Sequence, residues 1–270
     1  MIKDNVRWVI QNNLIAENDL KSIQNTCKEM GTEFEEVIVI PFSDEIPKFT
    51  IDSKINIYFG STTFINNIYR QYNKPVGVFY DDKVFSMENY LNVYGKHMLS
   101  YGAKITTFKE FTKEDHKDED LFFVRPDADD KSFNGEVWEF SKIKNWHQNF
   151  IKYDNANLDE NTKILVGDAW NIEKEWRNYI VNGKVASSSL YRKNFRLNKS
   201  KENIPQDMIQ FAEDRCKEYA PHDIFAMDIA LCGGEYFIIE LGCLNSVGFY
   251  AADIPKIVKE VTEFISKKSI

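Results

Sequence analysis

In the first third of the chain, short unbroken apolar runs alternate with segments of helical spacing. Val6-Arg7-Trp8-Val9-Ile10 predicts a strand. Glu17 to Met30 places Leu20, Ile23 and Cys27 on one face and stops at Gly31, which predicts a helix. Val37-Ile38-Val39-Ile40, ended by Pro41, predicts a short buried strand. Ile55 to Gly60 predicts another, with Ser61 as N-cap of a helix running to about Tyr72. Pro75 to Tyr80 predicts a further strand, and Ser86 to Tyr101 a helix ended by Gly102. Strands alternating with helices predict a parallel α/β layer.

The charged run Lys113-Glu114-Asp115-His116-Lys117-Asp118-Glu119-Asp120 breaks that alternation. It reads as the boundary between an N-terminal unit, residues 1–118, and a second unit, residues 119–270; a solvated loop inside one unit is the alternative. Beyond it come strand-like runs in meander order: Leu121 to Arg125, Lys163 to Val166, Glu175 to Val181, Lys184 to Tyr191, Ile224 to Leu231 and Tyr236 to Leu241. Asn182-Gly183 and Cys232-Gly233-Gly234-Glu235 are hairpin turn signals. Helices are predicted for Ser141 to Asn149, Pro205 to Ala220 and Ala251 to Lys268. The fold class is therefore an α/β N-terminal layer followed by an α+β domain with a mostly antiparallel sheet.

Composition narrows the function classes. A chain of 270 residues with 43% hydrophobic and 14% aromatic content buries a sizeable core and is not a disordered segment. A net charge of −8 argues against nucleic acid as a partner. Cations nevertheless gather from Lys184 to Lys201, as a solvated loop or as a site for an anionic ligand. Cys27, Cys216, Cys232 and Cys243 have no Cys-x-x-Cys or zinc spacing and read as free thiols of a reducing compartment. No apolar run approaches the ~20 residues of a membrane span, and Met1-Ile2-Lys3-Asp4 does not begin a signal peptide. A cytoplasmic protein without a membrane partner is expected, and a homodimer is the base-rate oligomer.

Two strands carry one carboxylate each inside an otherwise apolar run, Asp228 and Glu240, with Asn245 close behind. A hairpin of suitable register places both acids on one face. Oxygen donors of this kind suit Mg²⁺, which fills its octahedron with water and phosphate oxygens. The bland alternative is a half-buried hairpin whose acids meet a Lys or Arg. Arg125 ends the strand Phe122-Phe123-Val124 and precedes a polar loop, Asp127 to Gly135, with Lys131 near its centre. Glu175 and Arg177 lie two apart, on one face of a strand, and Arg192 ends the next strand. Each of these alone reads as a surface ion pair. Together they are the parts needed to hold Mg²⁺ and a triphosphate.

With these residues in view, the chain resembles the ATP-grasp superfamily over roughly Leu121 to Lys259. Val124-Arg125-Pro126 and the loop around Lys131 are similar to the family's basic strand end and phosphate loop. Ile164-Leu165-Val166-Gly167-Asp168 resembles its linker strand, which offers backbone to adenine. Asp228, Glu240 and Asn245 resemble its late metal-binding pattern. Arg125, Arg177 and Lys131 look like the branch named for two arginines and a lysine, common in bacteria and phages. The chain departs from the family at Gly242, where the usual Glu-x-Asn has its amide; Asn245 lies five residues after Glu240 and needs a turn through Gly242-Cys243-Leu244 to reach a metal. The resemblance implies an ATP- and Mg²⁺-dependent ligase that joins a carboxylate substrate to an amine acceptor (an amino acid, a peptide or a protein terminus) through an acyl-phosphate. It implies metal ligation by Asp228, Glu240 and Asn245. Nucleotide contacts fall to Arg125, Lys131, Val166, Asp168 and Glu175, and catalytic roles to Arg177, Arg192 and Lys131. A kinase on the same scaffold and a nucleotide-binding module without turnover are the alternatives.

Overall fold

A computed structural model describes residues 5–41, 43–128, 132–152 and 158–268, which form three sheets. The first is parallel. It contains β1 (Val6–Gln11), then after helix α1 (Glu17–Met30) β2 (Glu33–Val37) and β3 (Ile55–Phe59), in the order β2-β1-β3. β1 is central and buried along its whole length, so its sequence is a run and not an alternation. Gly31 ends α1 in the left-handed conformation, φ 68°, which favours glycine. The predicted strand at Val37–Ile40 lies too late: the ladder ends at Val37, and Ile38 and Ile40 are exposed. Helix α2 (Thr62–Gln71) is capped by Ser61, whose side chain accepts from the Phe64 N–H at 3.2 Å.

Helix α3 (Met87–Tyr94) is shorter than predicted, because Gly95, φ 49°, turns the chain into a single 3-10 turn. Next come β4 (Lys104–Thr107), α4 (Phe108–Phe111), β5 (Leu121–Pro126), β6 (Glu136–Glu139), α5 (Phe140–Lys152) and β7 (Lys163–Gly167). Their strands make an antiparallel sheet in the order β4-β7-β5-β6. β4 precedes the charged run yet pairs with β7, so this sheet straddles residues 118 and 119 and begins at Lys104.

The third sheet is built from β8 (Lys174–Val181), β9 (Lys184–Lys193) and β10 (Arg196–Ser200), then, after α6 (Gln206–Glu218), β11 (Ile224–Cys232) and β12 (Glu235–Gly242). It is antiparallel throughout, in the order β10-β9-β8-β11-β12. Asn182 and Gly183 both take positive φ, 50° and 74°, as the predicted two-residue turn requires. Helix α7 (Ile254–Lys268) then returns to the parallel sheet. Its Ile257, Val258, Val261 and Ile265 share a core with Val6, Trp8 and Ile10, and the Trp8 indole N–H donates to Thr262 Oγ1 at 2.9 Å. No helix among the described residues is long and apolar enough to cross a membrane.

Candidate active site

A cleft of about 640 Å³ lies between the two antiparallel sheets, with β5 and β6 on one side and β8, β9, β11 and β12 on the other. Cross-strand register sets its chemistry. Asp228 on β11 lies opposite Arg177 on β8 and opposite Glu240 on β12, so the three form one row across adjacent strands. Arg177 grips Asp228 with two parallel bonds, Nε to Oδ1 at 2.8 Å and Nη2 to Oδ2 at 2.7 Å. Glu240 Oε1 lies 4.0 Å from the same Nη2. From the opposing sheet Arg125 reaches over, with Nη1 2.7 Å from Glu240 Oε2. Cation and anion thus alternate, Arg125–Glu240–Arg177–Asp228, from one wall to the other.

Two bulges aim the remaining side chains. Ile239 is an extra residue between the pairs Asp228–Glu240 and Ile229–Ile238, and Ile239 and Glu240 both line the cleft. Tyr191 is likewise extra between the pairs Glu175–Arg192 and Trp176–Leu190. Consecutive residues therefore converge on Glu175: the Tyr191 hydroxyl donates at 2.8 Å and Arg192 Nη1 at 3.2 Å. Tyr250 stacks on Tyr191, ring centroids 4.8 Å apart, and the Arg177 guanidinium lies 5.1 Å from the Tyr250 ring. Burial pushes the Asp228 carboxyl up from its ordinary value; Arg177 opposes this, and the charge of Glu240 adds to it. Burial works against the Arg177 charge, but Asp228 holds that guanidinium well above its ordinary value.

Seven of the residues singled out from sequence come together here: Arg125, Asp168, Glu175, Arg177, Arg192, Asp228 and Glu240. Lys131 lies outside the described residues. Val166 is not at the cleft. It sits inside β7, paired with Lys104 on one side and Val124 on the other, and packs in the core of that sheet. The extended connection after it, residues 168–173, takes its place along the cleft, with Asp168, Trp170 and Ile172 lining it in alternation.

Asn245 also lies elsewhere, 1% exposed, and its amide is committed to the backbone near the parallel sheet. Oδ1 accepts from the Phe79 N–H at 2.6 Å, and Nδ2 donates to the carbonyls of Tyr58 at 2.6 Å and Gly77 at 2.9 Å. This contact corrects two expectations together. The amide takes the place of ladder bonds between β3 and the segment around Gly77, so Pro75 to Tyr80 is not a strand. Having spent its oxygen on Phe79, Asn245 is no metal ligand in this arrangement. Gly77 is needed at the crossing, since a Cβ there would meet the Asn56 carbonyl oxygen at 1.8 Å.

Comparison with known proteins assigns the arrangement. Residues 102–259 match the family model of an ATP-grasp domain, the second family of the clade named for two arginines and a lysine. The chain belongs to the ATP-grasp family. Membership brings with it ATP as nucleotide and the ATP-dependent ligase type of enzyme. No curated protein matches the sequence. Among solved structures, the chain is similar in fold to a RimK domain ATP-grasp protein from Sphaerobacter thermophilus (TM-score 0.62, 9% identity, 96% of this chain and 99% of that one). It is also similar to the ATP-grasp ligase PsnB complexed with a phosphomimetic precursor variant, Mg and ADP (TM-score 0.56, 10% identity, 99% of each chain). A third is a RiPP-associated ATP-grasp ligase from Chryseobacterium gregarium in complex with ADP and a leader and core peptide (TM-score 0.59, 13% identity, 98% and 97%).

For an ATP-grasp protein the donor set is sparse. Among the described residues no group of three or more His, Cys, Asp or Glu side chains is placed to hold a metal ion. Asp228 and Glu240 face each other with oxygen donors only, which fits a cation that keeps water and phosphate ligands and does not fit a zinc cage. Sequence reasoning missed the apolar lining: Phe123, Trp170, Ile172, Ile239, Tyr191 and Tyr250. Trp170 and Ile172 left a signal, the alternation Asp168-x-Trp170-x-Ile172 just before a strand. Ile239 and Tyr191 left none, because a bulge has no signature in an apolar run.

Proposed function

We propose that this ATP-grasp protein is a Mg²⁺-dependent carboxylate–amine ligase acting through an acyl-phosphate. The observation that carries the reading is the row Arg177–Asp228–Glu240 on one wall of the cleft, met by Arg125 from the other. Asp228 and Glu240 hold Mg²⁺, which when bound offsets the charge of the phosphates. Arg125, exchanged off Glu240, takes phosphate oxygens with its planar fork. Phe123, Trp170, Ile172 and Ile239 make an apolar slot for the base, with Asp168 as its polar end. Lys131 keeps, from sequence alone, the role of closing over the phosphates.

Arg177 and Arg192 are the cations left for the second substrate and for the charge of the acyl-phosphate. Glu175, held by Tyr191 and Arg192, acts on the site through Arg192 and serves as a positioning residue. A carboxylate oxygen of the substrate attacks the γ-phosphorus and ADP leaves. The amine then attacks the acyl carbon, loses a proton and expels inorganic phosphate, so the protein needs no nucleophile of its own. Peptides are the substrate class this reading favours, because two of the similar ligases are described with precursor or leader peptides.

The test is calorimetric titration of ATP with and without Mg²⁺, on wild type and Glu240→Gln, followed by a screen for ADP release. Saturable Mg²⁺-dependent binding that the variant loses, with ADP released only when a carboxylate and an amine are both present, supports the ligase. Phosphate appearing on a hydroxyl would make the protein a kinase. ATP binding without turnover under any pair would make it a binding module.

A further inference from the structure

The cationic stretch noted in the sequence is not absorbed by the site, and its position gives it a direction. Residues 184–201 hold six Lys or Arg and no Asp or Glu, in a chain whose net charge is −8. They form β9 and β10, and the tip of that hairpin, Asn194 and Phe195, turns with φ of 47° and 62°. Arg192 and Phe195 line the cleft, while Lys193, Arg196, Lys199 and Lys201 continue outward and are exposed. Among the described residues none of these four has a carboxylate within ion-pairing distance, whereas Arg192 is held by Glu175. Lys199 lies 5.8 Å from the Tyr250 ring, so one end of the track touches the cleft wall. Leu197, 67% exposed, stands opposite Arg192 and adds an apolar contact between the cations.

β10 is also the edge of its sheet, but a strand-adding partner is poorly served by it. The register shifts between Leu197 and Ser200, and lysines stud the strand, both of which discourage edge-to-edge pairing. Recognition here runs through side chains. A row of unpaired cations with Leu197 and Phe195 among them complements a segment that is extended, acidic and dotted with apolar residues.

We propose that the β9–β10 hairpin is a docking arm for an acidic peptide segment, which it holds beside the cleft so that an adjoining carboxylate enters it. The entry step rests on the ligase reading; the docking step does not, and the two are measured separately. The probe is a fluorescein-labelled peptide of alternating Glu, Ser and Leu, with its Gln counterpart as control, followed by fluorescence anisotropy. Wild type binds the Glu peptide, loses it steeply with added salt, and ignores the Gln peptide. Lys193→Glu/Lys199→Glu/Lys201→Glu weakens binding by about tenfold or more, and the milder Lys→Gln triple variant weakens it in the same direction. Circular dichroism establishes that both remain folded. Unchanged binding in the folded variants, or equal binding of the Gln peptide, overturns the proposal. Tighter binding of an oligodeoxynucleotide of equal charge overturns it in favour of nucleic acid. ATP titration of the same proteins reads the ligase site: absence of ATP binding in wild type would remove the ligase reading while leaving the anisotropy result to stand or fall by itself.

Discussion

Two buried arginines in different sheets hold carboxylates in nearly the same way, and they teach opposite lessons. Arg7 on β1 reaches Glu33 Oε2 and Asp52 Oδ2, each at 2.7 Å, through Nη2. Arg177 on β8 reaches Asp228 at the same distance. The partners differ in their solvent. Glu33 and Asp52 keep 51% and 39% of their side-chain surface exposed, whereas Asp228 keeps 3%. Lys54 and Arg7 together hold Glu33 below the usual carboxylate range, and Arg7 does the same for Asp52. Asp228 moves the other way, because burial outweighs its arginine and a second acid stands beside it. The first network is satisfied by water and charge together. The second holds more negative charge than one guanidinium can neutralise, beside a cleft, and an incompletely compensated carboxylate of that kind marks a functional site.

The largest test of this contrast removes the uncompensated charge. Asp228→Asn and Glu240→Gln each keep shape and lose a negative charge, and each lowers ATP turnover by at least about 100-fold, the rate equivalent of ~3 kcal/mol. ADP release under saturating ATP measures it; wild-type rates in both variants would move the metal site elsewhere. Arg177→Met comes next. It leaves Asp228 buried without its partner, and loss of one member of a buried pair costs about 3–5 kcal/mol of stability. Urea unfolding measures that loss, and the double variant Arg177→Met/Asp228→Leu recovers part of it without recovering turnover.

Those residues were legible in the sequence because a lone charge inside an apolar strand is rare unless something holds it. Strand identity, the Asn182-Gly183 turn and the antiparallel character of the second half followed from local pattern as well. Geometry built by distant contacts was not legible. The bulges at Ile239 and Tyr191 depend on how neighbouring strands slip, and β6 and β10 are polar strands without an apolar run. β4 precedes a charged stretch that looks like a boundary, and its partner β7 lies some 60 residues on. Asn245 is the sharpest case. An amide near two acids suggested a ligand, yet its partners Tyr58, Gly77 and Phe79 are more than 150 residues earlier in the chain.

Asn245→Ala therefore separates structure from chemistry. It strands two carbonyls and one N–H in the interior and destabilises the protein by about 3 kcal/mol. The Mg²⁺ dependence of turnover, measured well below the melting temperature, stays that of wild type; a shift of that dependence with stability unchanged would return Asn245 to the metal site. Arg125→Gln has a smaller effect of two signs. Removing the cation that competes for Glu240 tightens Mg²⁺ binding in the absence of nucleotide, by about threefold to tenfold, and weakens ATP binding in its presence. Calorimetry of Mg²⁺ alone, then of ATP with Mg²⁺, reads both; weaker Mg²⁺ binding in the variant would show that Arg125 does not compete for Glu240.

The smallest effect is expected at the other arginine. Arg7→Met keeps much of the aliphatic packing of a side chain that is 7% exposed, and it releases Glu33 and Asp52 toward water that already reaches them. Lys54 remains on Glu33, so one partner stays paired. Asn56 and Thr50 lose a donor but keep the bond between the Asn56 amide and the Thr50 carbonyl at 2.9 Å. The variant should unfold at slightly lower urea than wild type and turn over ATP at the wild-type rate. The pH profile supplies the sharper reading. Glu33 and Asp52 are held below their ordinary values, so their contribution is present above the ordinary carboxylate range and lost as pH falls through the depressed values. Wild type and Arg7→Met therefore converge in stability at acid pH. Wild type and Arg177→Met should instead differ most at neutral pH and above, where the stranded Asp228 must carry its charge. If the two variants showed the same pH profile, exposure of the partner acids would not be what separates the two networks.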